Sequence, residues 1–270
     1  IEEDGHIVGL FPAAFHPQKG GVVVSHPGLT YGGIVHAGDL IGKKMIAAML
    51  LIMEHYAQMG YEQLVYKAVP TFYHKRPSQD DLYALHRLGS VRTRCDISST
   101  IDLKNSYQVS SRRQRSLKKA KKAGVSIAID NRLLPSLWEV LCENLDKKHG
   151  VLPVHTVDEM RLLMEKFPEE IQCVCGTMND RVIAGVVLFS TTHVDHAQYI
   201  ASNHEGYEVS ALDVIFEHCI KNSKMNGKNW FDFGICTEAE GTILNQGLYQ
   251  FKTEFGGGGF VHEFYEINLK

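Results

Sequence analysis

Apolar residues recur at Ile41, Met45, Ala48, Met49 and Ile52, the spacing of one helix face. The pattern predicts a helix from about Asp39 to Met59, with Asp39 as N-cap and Gly60 as its stop. Upstream, the short apolar runs His6–Phe11 and Gly21–Val24, separated by Pro and Gly, predict a hairpin, and Ile34-Val35 reads as a further extended stretch. Downstream, Gln63–Val69 reads as a buried strand closed by Pro70. A helix follows from about Gln79 to Leu88, capped by Ser78 and stopped by Gly89, and then a long strand, Val91–Leu103.

The second half opens on a basic helix, Ser111–Ala123, stopped by Gly124 and followed by a strand at Val125–Ile129. Helices are predicted at about Pro135–Lys148 and Val157–Phe167, the latter begun by a capping box of Thr156 and Glu159. Strands at Ile171–Met178 and Arg181–Ser190 flank a tight Asn179-Asp180 turn, and a further strand spans about His196–Ala201. A helix at Ser210–Met225, a strand at Asn229–Phe233, a helix near Asn245–Phe255 and a last strand, Phe260–Asn268, complete the chain.

The halves share punctuation. Met59-Gly60 leads into Gln63-Leu64-Val65-Tyr66 as Met225-Asn226-Gly227 leads into Asn229-Trp230-Phe231-Asp232, and Ile101-Asp102-Leu103 matches Ile267-Asn268-Leu269. An order of elements repeated with matching stops points to duplication. The predicted fold class is α/β (α+β): two tandem units, each a mixed, mostly antiparallel sheet flanked by helices. The expected boundaries are 1–106 and 107–270.

Composition narrows the function. In 270 residues, hydrophobic residues make up 44% and charged residues 22%, with a net charge of −3; this is a globular balance with no global field for nucleic acid or membrane, so any such attraction must be local. The most apolar run, Met45–Met53, is too short to span a bilayer. The six cysteines include no C-x-x-C pair, so no metal site is expected, and their scatter predicts reduced thiols in a cytoplasmic protein. Cys173 and Cys175, two apart on a strand, should share a face. The start, Ile1-Glu2-Glu3-Asp4, reads as lacking a native N-terminal element. Hydrolase, zinc-protease and P-loop patterns do not occur.

The C-terminal region carries the chemistry: Trp230-Phe231-Asp232-Phe233-Gly234, then Gly247-Leu248-Tyr249-Gln250-Phe251-Lys252-Thr253-Glu254-Phe255-Gly256. This text resembles the D-F-G-type strand and G-L-Y-x-F-K-x-x-F-G helix of FemAB-like proteins, and the basic run from Arg112 to Lys122 resembles the helix that opens that family's second GNAT-like domain. The resemblance covers the whole chain. It implies a transferase that moves an acyl or aminoacyl group onto an amine, with aminoacyl-tRNA or acyl-CoA as donor and a cell-wall or surface-polysaccharide precursor as one class of acceptor. It places Lys252 near the transferred acyl group, as a fixed cation for an oxyanion or a donor phosphate. Tyr249 on the same helix joins Lys252 in the candidate catalytic set. So does Asp232, which points away from Phe231 and Phe233 and could take a proton from the amine.

Seven cations without an acid between Arg112 and Lys122 repel one another along a helix. A phosphate-bearing donor such as tRNA would offset that repulsion, which makes Arg112, Arg113 and Arg115 candidate phosphate ligands; acids from the other half would also do so. His204 and Ser210 stand where acetyl-CoA enzymes bind pyrophosphate on a helix N-terminus. Those enzymes carry a Q/R-x-x-G-x-G/A loop, whereas Asn203-His204-Glu205-Gly206-Tyr207-Glu208-Val209-Ser210 has one glycine and two acids, which would repel a pyrophosphate. Tyr73, Lys75 and Arg76 follow the first half's central strand and are candidates for binding an acidic acceptor in a cleft between the lobes. Two alternatives remain: an acyl-CoA-dependent N-acyltransferase with an atypical donor site, and a non-catalytic binding protein on a degenerate fold.

Overall fold

The computed structural model describes residues 1–149 and 153–270. They form two compact units assembled from interleaved stretches of chain. The N-terminal unit comprises Ile1–Ile97, Thr237–Asn245 and Phe260–Lys270, and the C-terminal unit comprises Ser98–Cys236 and Gln246–Gly259.

In the N-terminal unit, β1 (Glu2–Glu3) pairs with β2 (His6–Ile7), and β3 (Ala13–Phe15) with β4 (Val22–Ser25). The expected pairing of His6–Phe11 with Gly21–Val24 is therefore corrected to two smaller hairpins; Leu10 instead bridges Val35, in the stretch expected to be extended. Helix α1 (Lys43–Gln58) starts later than expected, with Gly42 rather than Asp39 at its N-cap. One reason is that Asp80 Oδ1 accepts from the Gly42 backbone N–H, 2.8 Å away, and so does a cap's work from outside. Met45, Ala48, Met49 and Ile52 are buried as their spacing predicts, against Leu64 and Tyr66 of β5 (Gln63–Lys67) and Leu85 of α2 (Asp80–Arg87). Strand β6 (Val91–Asp102) begins in this unit.

The C-terminal unit opens with α3 (Ser111–Lys122), whose Ser110 cap accepts from the Arg113 N–H. Then come β7 (Ser126–Ile129), α4 (Leu134–His149) and α5 (Val157–Lys166), the last with both hydrogen bonds of the Thr156–Glu159 capping box. β8 (Ile171–Met178) and β9 (Arg181–Ser190) are joined through Asn179 and Asp180, both at positive φ, the backbone of a tight hairpin turn. β10 (Val194–Ser202) pairs antiparallel with β9.

The segment read as a phosphate loop is instead a helix, α6 (His204–Val209). Asn203 caps it by accepting from the Gly206 N–H at 2.9 Å, and Glu205 sits in its first turn. Gly206 serves close packing there: a Cβ would lie 2.4 Å from the Ile183 carbonyl oxygen. α7 (Ala211–Met225) follows at once, then β11 (Trp230–Ile235). A small hairpin of β12 (Thr237–Glu238) and β13 (Ile243–Leu244), α8 (Gln246–Thr253) and β14 (Gly258–Asn268) finish the chain. Residues 264–268 of β14 pair antiparallel with β5 in the N-terminal unit.

Each unit carries a mixed sheet, mostly antiparallel, with β4–β5 parallel in one and β10–β11 parallel in the other. In the C-terminal unit the order runs β6, β11, β10, β9, β8, β7. One face packs Phe216 of α7 against Phe231 and Phe233 of β11 and Phe255. The other packs Leu137, Trp138 and Leu141 of α4 against Cys173, Cys175 and Val187. The two cysteines share that face, with Sγ atoms 3.6 Å apart. Among the described residues, no helix is long and apolar enough to cross a membrane and no His, Cys, Asp and Glu cluster could hold a metal ion.

Candidate functional site

The site grows out of an irregularity shared by two neighbouring strands. β10 and β11 run parallel and pair only from Val194↔Trp230 to His196↔Asp232. Immediately beyond, β10 bulges against β9 between Ala197 and Tyr199, leaving Gln198 without a register partner. On β11, Gly234 takes φ +76° and the register with β6 shifts between Asp232 and Ile235. A bulge and a left-handed residue each bend a strand, and past this level the two are no longer paired.

Lys252 of α8 reaches this end of β11. Its side chain is 3% exposed, and Nζ donates to the carbonyls of Gly234 at 3.0 Å and Ile235 at 2.8 Å. Burial lowers its pKa, opposed by the charges of Cys236 and Asp232. A buried cation bound to two carbonyls is held in place and keeps its field at the strand end.

Lys252 also lines a cavity of about 670 Å³ at the N-terminal end of α7. Ile200 and Ser202 of β10, Leu212, Leu248 and Phe251 contribute further wall, together with Gly206, Ser210, Arg112, Arg113 and Asp213. Arg113 and Asp213 form a buried pair, with Nη1 2.9 and 3.1 Å from the two carboxylate oxygens, and Arg113 Nε donates to Glu254 at 2.9 Å. The guanidinium lies 4.8 Å from the Phe251 ring centroid. Burial raises the Asp213 carboxyl to about 6, against the opposing pull of Arg113.

The predicted residues thus fall into groups. Lys252, Arg112, Arg113 and Ser210 line the cavity. Arg113 is neutralised by two acids, whereas Arg112 is exposed, with Glu254 3.6 Å away. Arg115 is exposed on the outer face of α3. Ser210 adopts φ +62° and its hydroxyl does not cap α7. His204 projects outward, 87% exposed and 3.8 Å from Glu208. Tyr249 is half-buried, and its carbonyl accepts from Thr253 Oγ1 at 2.9 Å. Asp232 is fully buried: Oδ1 accepts from Thr100 Oγ1 at 3.0 Å and from the Gly234 N–H at 3.1 Å, while Oδ2 lies 2.7 Å from His196 Nδ1.

Tyr73, Lys75 and Arg76 come together around a second cavity, of about 450 Å³, within the N-terminal unit. The Tyr73 ring lies against that of Tyr31, tilted by 40° with centroids 4.4 Å apart, and Arg76 donates to the Ala37 carbonyl. The buried Asp81 carboxylate, bound by the Tyr66 hydroxyl at 2.7 Å, also lines it, and burial raises the pKa of that carboxyl.

Sequence reasoning missed His196, Asp213 and Glu254. Of these, Asp213 left a signal, an acid standing alone in the apolar run Ala211–Phe216.

Comparison with known proteins agrees with the fold. FemX matches with a TM-score of 0.67 at 12% identity, covering 99% of this chain and 86% of its own. The L-PGS of Bacillus licheniformis matches with a TM-score of 0.65 at 13% identity, covering 97% and 82%. A tandem GNAT protein from the clavulanic acid biosynthesis pathway matches with a TM-score of 0.57 at 9% identity, covering 100% and 81%. At these identities the likeness is one of fold, and it bears out the duplicated GNAT-like architecture. No curated protein matches the chain at a significant level. The model of the acetyltransferase (GNAT) domain matches residues 104–253, more than half of the sequence, and the chain belongs to that family.

Proposed function

We propose that the protein transfers an acyl or aminoacyl group from a phosphate-bearing donor onto an amine, with the donor held in the cavity at the start of α7. The observation that carries this reading is the parting of β10 and β11 beside Lys252, next to that cavity. A bulge such as that at Gln198 frees backbone amides, the kind of fixed donor that stabilises an oxyanion. The buried Lys252 ammonium adds a positive field at the same level, so negative charge developing on an acyl oxygen is favoured without reorganisation. The apolar wall of Ile200, Leu212, Leu248 and Phe251 suits the stem of a donor.

The donor's phosphates would meet the exposed cations of α3, Arg112 and Arg115, rather than Arg113, whose charge is already spent on Asp213 and Glu254. With Glu205 in the first turn of α6, ordinary pyrophosphate binding at that helix is disfavoured. Both facts favour aminoacyl-tRNA, or an acyl-CoA bound in an atypical way. The N-terminal cavity with Tyr73, Lys75 and Arg76 is assigned to an acidic acceptor.

Alanyl-tRNA and acetyl-CoA, each titrated into the protein at low and high salt, test the donor assignment. Binding of one that weakens with salt and with Arg112→Ala/Arg115→Ala is the expected result. Absence of binding of either donor at low salt overturns it.

A further inference from the structure

We propose that His196 is the catalytic residue that takes the proton from the attacking amine, and that Asp232 is its positioning residue. The inference rests on the transferase reading and deepens it. Asp232 itself is a poor proton acceptor: it is 0% exposed, and both oxygens are engaged, by Thr100 and Gly234 on one and by His196 on the other. A carboxylate placed 2.7 Å from Nδ1 selects the tautomer that carries its proton there. In the neutral imidazole the lone pair then lies on Nε2.

Nε2 is 3.1 Å from the side-chain amide oxygen, Oε1, of Gln198, the bulged residue. Because the two ends of an amide interchange, that group can turn its NH₂ towards the lone pair. The pair occupies the last shared rung before β10 and β11 separate. Gly234, beyond that rung, adopts φ +76°, a backbone conformation that L side chains rarely take, and lies beside the ring edge: a Cβ there would be in ordinary van der Waals contact, 3.4 Å from His196 Cε1. Phe231 and Phe233 pack on one face of the sheet with Phe216. Asp232, between them on the strand, meets His196 on the other face, away from that aromatic core.

In the reaction the amine nitrogen bonds to the acyl carbon, and the acyl carbon's bond to the donor's sulfur or oxygen breaks. The nitrogen loses one proton to Nε2, and the departing thiolate or alkoxide gains one, so the imidazole returns to its neutral form. The polar groups facing the ring are Asp232 from β11 and Gln198 from its own strand; Lys252 and Cys236 interact with Asp232 in turn.

The test uses the full chain with alanyl-tRNA and, separately, acetyl-CoA as donors and Nα-acetyl-lysine as the amine probe. Expected is a fall in kcat of about 100-fold or more for His196→Gln, with the probe's KM nearly unchanged and the loss of rate in acid abolished. Asp232→Asn should lower kcat less and should remove the low-field Nδ1–H proton resonance of the wild-type protein. His196→Gln turning over at the wild-type rate across the pH range overturns the proposal and leaves the transferase reading intact. Wild-type protein that acylates the probe from neither donor overturns that reading, and this proposal with it. If His196→Gln does not fold, the resonance decides: its absence from the wild-type spectrum overturns the pair.

Discussion

Arg113 Nη1 and the Asp213 carboxylate lie 2.9 and 3.1 Å apart, with both side chains under a tenth exposed. The pair joins the first turn of α3 to the first turn of α7, and Glu254 ties it to the end of α8. The predicted phosphate ligand is therefore a buried structural cation. Arg113→Met should leave the buried Asp213 carboxylate and the partly buried Glu254 carboxylate facing an apolar chain and cost about 3–5 kcal/mol, read as a lowered urea midpoint. Arg112→Met, on the exposed side of the same turn, should cost about 0–1 kcal/mol.

Asp213 should titrate far above an ordinary carboxyl, at about 6. A folded-state value raised above the unfolded one makes the folded protein the stronger proton binder. The stability linked to this group is then fully present below the usual carboxylate value and is lost as pH rises through about 6. Carboxyl carbon shifts followed by NMR, with Asp213→Asn to assign the signal, check the midpoint.

Lys252→Met keeps the length of the side chain and removes the charge that holds Gly234 and Ile235. The expected loss is about 10²–10³ in kcat, the scale of a deleted oxyanion-stabilising group, with Lys252→Arg failing to restore it because the fork does not fit a 3% exposed site. Steady-state kinetics on the acylated probe amine decide it. A wild-type kcat in Lys252→Met would remove the residue from the chemistry.

Gly206→Ala should destabilise the protein by about 1–3 kcal/mol through overpacking, because the new methyl meets the Ile183 carbonyl oxygen and Ser202 Oγ within 2.5 Å. Ser202 and Gly206 both line the cavity at the start of α7, so affinity for the donor proposed to bind there should fall as well. Thermal unfolding and donor titration measure the two effects separately.

The strands and helices of the duplicated fold were legible because their apolar periodicity is strong. The capping box at Thr156 and the turn at Asn179-Asp180 mark ends within a residue or two. The N-terminal hairpins were misplaced because runs as short as Ala13–Phe15 carry too few residues to fix a partner. α6 was missed because a glycine between two acids reads as loop; only the Ile183 carbonyl pressed against its backbone explains the glycine there. Lys252 was visible through its motif. The pairing of His196 with Asp232 was not, because it joins residues 36 apart in sequence through a strand pairing that stops at that rung.

Residues 264–268 pair with Gln63–Lys67, and Ile267 is buried with Leu64 and Tyr66 in the N-terminal unit. That fixes an order of events during synthesis. A ribosome that has released residues 1–97 has made a sheet lacking one of its strands, with the edge of β5 open and part of an apolar core wet. The C-terminal unit can close as soon as residues up to 259 have emerged. The unit translated first is therefore the one completed last, and during translation it is the half most exposed to proteases and chaperones.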